Sequence, residues 1–203
     1  MRIEMRDISK AFGSNQVLEK IDLVIESGQV HALMGENGAG KSTLMNILTG
    51  LFPATTGTIL IDNQEVVFPN PQIAEEAGLS FIHQEMNTWP EMTVLENLFL
   101  GRELKTSIGF LDQKAMKMKA QAVFNRLGID IPLDTIIGQL SVGQQQMIEI
   151  AKSLLSEISI LIMDEPTAAL TDRETETLFS IISSLKSEGV GIVYISHRME
   201  EIF

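Results

Sequence analysis

Four short apolar runs constrain the fold of this chain more than any other feature. They are "VHALMG" from Val30, "LSFIHQ" from Leu79, "ISILIM" from Ile158 and "VGIVYI" from Val190. Near-continuous apolarity, rather than alternation, is the pattern of strands buried on both faces. Helical patterns separate the runs, so a mainly parallel core sheet is expected, in an α/β fold. Each run ends in polar residues or a glycine loop: Gly35 to Ser42, Gln84 with Glu85, Asp164 with Glu165, and Ser196 with His197. Ligands of an open parallel sheet bind beyond the carboxyl ends of its strands, so four such endings on one edge would form a site.

The 203 residues suit one domain with a small inserted subdomain. From Asn87 to Leu155 the patterns are helical: "TVLENLFL", then Asp112 to Leu127 with Met116, Ala120, Val123 and Leu127 on one face. The expected division is therefore an α/β core at 1–86 and 156–203, with a helical subdomain at 87–155. Two alternating runs, "IEMRDISKAF" and "VLEKIDLVI", predict shorter strands in an antiparallel N-terminal flank.

Fifteen basic against 27 acidic residues give a formal charge of −12, and no Lys/Arg cluster resembles a nucleic-acid footprint. Sequence-independent binding to DNA or RNA is disfavoured. No cysteine is present, which removes disulfides and thiolate metal sites and fits a reducing compartment. The N-terminus lacks the apolar core of a signal peptide, and no run of eighteen apolar residues exists. Work at a membrane would have to go through a partner.

"GENGAGKS", Gly35 to Ser42, has the spacing G-x-x-x-x-G-K-[ST] between a strand and the helical pattern "TLMNILTG". The chemistry explains that spacing better than a plain glycine-rich turn does. Glycines let successive N–H groups face a phosphate and the helix start adds its positive end; Lys41 brings a mobile charge and Ser42 a hydroxyl for Mg²⁺. Asp164 follows a buried strand where a metal-holding carboxylate is needed, and adjacent Glu165 could polarise an attacking water. Asp164 alone could be a turn former. A lone histidine after "VYIS" is more often structural, but as the last of four strand endings His197 is placed to reach a γ-phosphate.

"LSVGQQQMIEIAKSLL", Leu140 to Leu155, reads as a helix start with Ser141 as cap and Gln144 three residues on. Gly143 falls inside its first turn, where it costs roughly 1 kcal/mol relative to Ala. Capping gives no reason for it.

Together these segments resemble the ATP-binding cassette ATPases. "GENGAGKST" resembles Walker A, Gln84 the Q-loop, "LSVGQQQ" the signature, "ILIMDE" Walker B, "AALTD" the D-loop and His197 the switch histidine. The resemblance runs the length of the chain and implies a P-loop NTPase fold that uses ATP and Mg²⁺. It implies nucleotide contacts from Gly35, Glu36, Asn37, Gly38, Ala39, Gly40, Lys41, Ser42 and Thr43, with Phe12 stacked on adenine. The lesser alternative is that Phe12 is a core aromatic of the N-terminal sheet. Ser42, Gln84 and Asp164 would surround the metal; Glu165, His197 and Gln84 would serve catalysis. Nucleotide in this family is sandwiched between two cassettes packed head to tail. Ser141, Gly143 and Gln144 of one would then face the γ-phosphate of the other, and Gly143 would permit the close approach.

"HQEMN", "GQQQMIEIAKSL", "MDEPTAALTDRETE" and "YISHRMEEIF" look most like the ATP-binding subunits of bacterial monosaccharide importers, the ribose type above all. Val142 replaces the first glycine of the commoner "LSGGQ", a departure frequent in that subgroup. The resemblance implies permease subunits as direct partners, a sugar-binding protein as an indirect one, and a peripheral place on the cytoplasmic face of the bacterial membrane. Trp89 and Met92 would face a permease helix, unless Trp89 packs internally. Such importers usually carry two cassettes per chain, whereas this sequence stops six residues after His197. That implies a truncated product or a fragment whose last strand would lack neighbours and whose turnover would suffer more than its nucleotide binding. A small-molecule kinase would leave the signature helix without a role. A soluble cassette acting on ribosomes or DNA would be expected to show basic stretches.

Overall fold

The computed structural model describes residues 1–36, 38–85 and 87–197. The chain divides into two compact units, one of Met1–Gln84, Ile158–Pro166 and the segment from Ile182 onward, the other of Glu85–Glu157 and Thr167–Ile181. The second unit thus includes a stretch around the D-loop that lies outside the 87–155 helical segment expected from the sequence.

The first unit holds two four-stranded sheets. Strands β1 (Arg2–Phe12) and β2 (Asn15–Glu26) pair antiparallel, and β4 (Thr56–Ile61) with β5 (Gln64–Val66) extends them in the order β2-β1-β4-β5. The expectation of short flanking strands is corrected here. β1 and β2 have 11 and 12 residues, the longest strands described. Register shifts between Met5 and Ala11 interrupt their alternation, which is why the sequence pattern shows only shorter pieces.

The second sheet is parallel: β3 (Val30–Met34), β6 (Leu79–Ile82), β7 (Ile160–Asp164) and β8 (Gly191–Ser196), in the order β3-β8-β7-β6. β7 and β8 are buried throughout, as their apolarity predicts. β3 departs from that expectation, because it is an edge strand and Val30 is 44% exposed. The last strand does not lack neighbours: β8 lies between β3 and β7. Helix α1 (Lys41–Leu48) joins the sheets through one core, with Leu44, Met45, Ile47 and Leu48 buried against Ile3, Met5 and Ile8 of β1 and Ile162, Val193 and Ile195 of the parallel sheet. Helix α2 (Pro71–Glu76), capped by Asn70 with Pro71 at its first position, leads into β6.

The second unit packs α3 (Val94–Phe99), α4 (Gln113–Leu127) and α5 (Val142–Ser153) on one another. Their boundaries are written in side chains. Thr93 and Glu96 form a capping box before α3, Asp112 accepts from the Ala115 amide before α4, and Gly128 in left-handed backbone ends α4. Met116, Ala120, Val123 and Leu127 are buried, as the spacing predicts, together with Phe124. Helix α6 (Asp172–Ser187) begins in this unit and ends in the first.

Candidate nucleotide site

The register of the parallel sheet brings the expected residues to one edge. Met34 pairs with Ser196, Asp164 with Ile195 and Ile82 with Met163, so all four strands finish at the same level. Chain continuity then puts the Gly35 loop, His83–Gln84, Asp164–Glu165 and His197 side by side beyond it.

Asp164 ends β7 and is buried; its Oδ2 accepts a hydrogen bond from Ser42 Oγ at 2.5 Å, across 122 positions of sequence. Glu165 follows in left-handed backbone, φ 47°, with its amide bonded to the Ile195 carbonyl at 2.9 Å. That conformation is costly for a non-glycine residue and typical of functional positions. It turns the Glu165 carboxylate to meet His197 Nδ1 at 2.8 Å and Gln84 Nε2 at 3.4 Å. His83 stacks on Phe81, ring centroids 4.0 Å apart, and its burial pushes the imidazole below its ordinary pKa, opposed by the Asp164 charge.

The glycine loop is pre-shaped. Gly40 caps α1 in left-handed backbone, φ 89°, without any side-chain cap, which leaves the first-turn amides to other partners. A Cβ on Gly40 would come within 2.6 Å of Leu18 Cδ2, so close packing as well as φ requires glycine. Lys41 folds back, its Nζ donating to the carbonyls of Gly35 at 2.6 Å and Glu36 at 3.0 Å. Gly38, Ala39, Gly40, Lys41, Ser42 and Thr43 line a cavity of about 390 Å³ with Gln84, Asp164 and Glu165. Val17 lines it too, a residue for which the sequence carries no signal. Asn37 lies outside the described residues.

A hydroxyl and a carboxylate in direct contact are hard oxygen donors, few in number, and fit Mg²⁺, which keeps several waters and takes one or two protein ligands beside phosphate. Ser42 and Asp164 would hold it, with Gln84 near.

Phe12 is 48% exposed, which removes the core reading; its ring meets Phe52 edge-on at 5.4 Å, and Lys10 Nζ lies 5.0 Å from its centroid. In the second unit Trp89 is 57% exposed, and its backbone is clamped by Asn97 and by the Met92 amide. The internal-packing reading of Trp89 therefore fails. Ser141 caps α5 with Gln144 returning the bond to its amide at 2.9 Å. Gly143 is buried, and a Cβ on it would collide with the carboxylate of Glu174. No pattern in the sequence ties Glu174 to Gly143, although "TDRE" at the start of α6 is a capping-box signal.

A family model described as "ABC transporter" matches residues 18–168. The chain belongs to the ABC transporter family. Among solved structures, this cassette resembles a nucleotide-free ATP-binding cassette from an ABC transporter, at 27% identity and TM-score 0.89, covering all of this chain and 84% of that one. It also resembles the dimeric MJ0796 bacterial cassette, at 26% identity and TM-score 0.81, covering 98% and 89%. The fold is that of the family. Over its full length the cassette is 78% identical to the ribose import ATP-binding protein RbsA of Streptococcus agalactiae serotype Ia and 71% identical to that of Lactococcus lactis subsp. lactis. It spans 41% of the length of each.

Proposed function

We propose that this cassette binds ATP with Mg²⁺ and hydrolyses it to drive import of a monosaccharide, ribose in the first place. The observation that carries the reading is the convergence of Lys41, Ser42, Gln84, Asp164, Glu165 and His197 beyond one sheet edge. The names of the 71–78% identical relatives support the sugar.

Each residue has a role in that chemistry. Amides of the Gly35–Thr43 loop and Lys41 bind the phosphates, and Lys41 leaves the Gly35 and Glu36 carbonyls to do so. Ser42 and Asp164 would hold Mg²⁺, which would supply charge neutralisation for the phosphates. Glu165 orients the attacking water and takes its proton; His197, held on Glu165 Oε1, faces the γ-phosphate; Gln84 bridges the metal environment and Glu165. Phe12 offers an exposed face for the adenine.

Ser141, Gly143 and Gln144 serve a second cassette, facing the γ-phosphate held in its loop. Exposed Trp89 meets a permease subunit, which in turn receives sugar from a binding protein. No helix among the described residues is long and apolar enough to cross a membrane. Attachment at the cytoplasmic face is peripheral, through the permease. The nucleotide-binding core and the helical part carrying the signature are the two working parts.

ATP binding and hydrolysis, measured across protein concentration, test the reading. Turnover that rises faster than linearly with concentration is expected. A Glu165→Gln variant should still bind ATP but hydrolyse it at least about tenfold more slowly. Unchanged turnover in that variant removes Glu165 from the mechanism.

A further inference from the structure

The start of α5 already holds an anion. Ser141 Oγ donates to Glu174 Oε1 at 3.1 Å, and the same carboxylate fills the space that a Cβ on Gly143 would need. Its other oxygen, Oε2, accepts from the Thr171 amide at 3.0 Å and the Thr171 hydroxyl at 2.8 Å. One side chain therefore serves two helices: it closes the capping box of α6 and sets a negative charge on the N-terminus of α5. The Thr171 amide, the Thr171 hydroxyl and the Ser141 hydroxyl hold its carboxyl below the usual range, so it is ionised at neutral pH.

We infer that Glu174 is a built-in occupant of the anion site on the signature helix, which an incoming γ-phosphate must displace before two cassettes can pair. The inference rests on the reading of Ser141 and Gly143 as γ-phosphate contacts. A carboxylate and a phosphate are like charges competing for one hydroxyl and one helix terminus. The phosphate brings more charge and more acceptor oxygens, so it wins when presented on a partner's loop. A diphosphate presents nothing at that point, and Glu174 stays bound to Ser141. Glu174 is thus a specificity-determining residue: it makes pairing conditional on a triphosphate. The Thr171 bonds do not involve Ser141, so the carboxylate can swing off α5 while α6 keeps its cap.

Glu174→Gln keeps the length of the side chain and an acceptor for Thr171 while removing the charge. Inorganic phosphate is titrated into the isotope-labelled chain, and the amide resonances of Gly143 and Gln144 are followed. These amides should respond at roughly tenfold lower phosphate in Glu174→Gln than in the wild type, the effect of removing one like charge at hydrogen-bond range. In a Glu165→Gln background, sedimentation should show the Glu174→Gln chain pairing at lower ATP and beginning to pair with ADP plus phosphate. Glu174→Asp, which keeps the charge but is one methylene shorter, should fall between, and it stands in if the amide variant folds poorly. An unchanged phosphate response in a folded Glu174→Gln chain overturns the inference and leaves Glu174 a helix cap alone. Weaker ATP-driven pairing in that variant overturns it as well, since the carboxylate would then belong to the paired state. A sharpened phosphate response, with pairing insensitive to both Glu174→Gln and Ser141→Ala, supports the occupancy and strikes the γ-phosphate reading of Ser141.

Discussion

Helices α1 and α5 both begin where a phosphate is expected, and they begin in opposite ways. Gly40 caps α1 with bare left-handed backbone and no side-chain bond, so the first-turn amides are left for a ligand. Ser141 caps α5 with a reciprocated bond to Gln144, and the Glu174 carboxylate lies on top. The first terminus is set up to bind whatever phosphate arrives. The second is satisfied from within and yields only to a stronger anion. On the proposed reading, a chain with both loads nucleotide alone and holds back from pairing until a γ-phosphate is presented.

The contrast can be broken most severely at α1. Lys41→Ala should weaken ATP binding by about a hundredfold or more, because a charge-assisted phosphate contact is lost, as read by calorimetry. Affinity retained within about threefold would mean that the glycine loop is not the site.

Glycine replacement sharpens the contrast. Gly40→Ala should cost about 2 kcal/mol, since its Cβ meets Leu18 and the Val17 carbonyl at a φ of 89°. Gly143→Ala should change stability by less than about 1 kcal/mol, because helix propensity is gained and only the flexible end of Glu174 must move. Equal losses of Tm in the two variants would erase the distinction.

Ser141→Ala tests whether α5 is self-capped. Loss of the box should cost about 1 kcal/mol in urea unfolding. A loss near zero would show that Glu174, not Ser141, terminates the helix.

The smallest effect concerns Glu149, a carboxylate within α5 of a kind that α1 lacks. Burial raises its pKa above 4.5, opposed by Lys152 and Arg102. The folded state therefore binds the proton more tightly than the unfolded chain does. The stability this contributes is fully present below about pH 4.5 and is lost as pH rises through the folded value. Glu149→Gln avoids that loss. Its Tm should match the wild type at low pH and exceed it at pH 7, by less than about 1 kcal/mol in stability. A gain that is the same at both pH values would remove the buried charge as its cause.

Much of the candidate site is legible in the sequence because its signals are local. A glycine loop between strand and helix, two acids after "ILIM" and a histidine after "VYIS" each follow a strand end, and parallel register alone brings strand ends together. The helices of the second unit are legible for the same reason, since caps and apolar spacing lie within a few residues of each other. The antiparallel flank is less so. Its bulges break the alternation of β1, β4 opens on the exposed stretch Thr56, Gly57 and Thr58, and β5 has three residues.

The sequence by itself determined the fold family, the order of the strands' chemical endings and the identity of nearly every group lining the candidate cavity, because backbone propensity and strand-end position are properties of neighbouring residues. Tertiary structure decided what long-range contact alone can decide. It made β3 an exposed edge, left Phe12 and Trp89 at the surface, and set Ser42 on Asp164. It also laid Glu174 over Gly143, 31 positions away in the chain, where the charge on one helix answers the dipole of another.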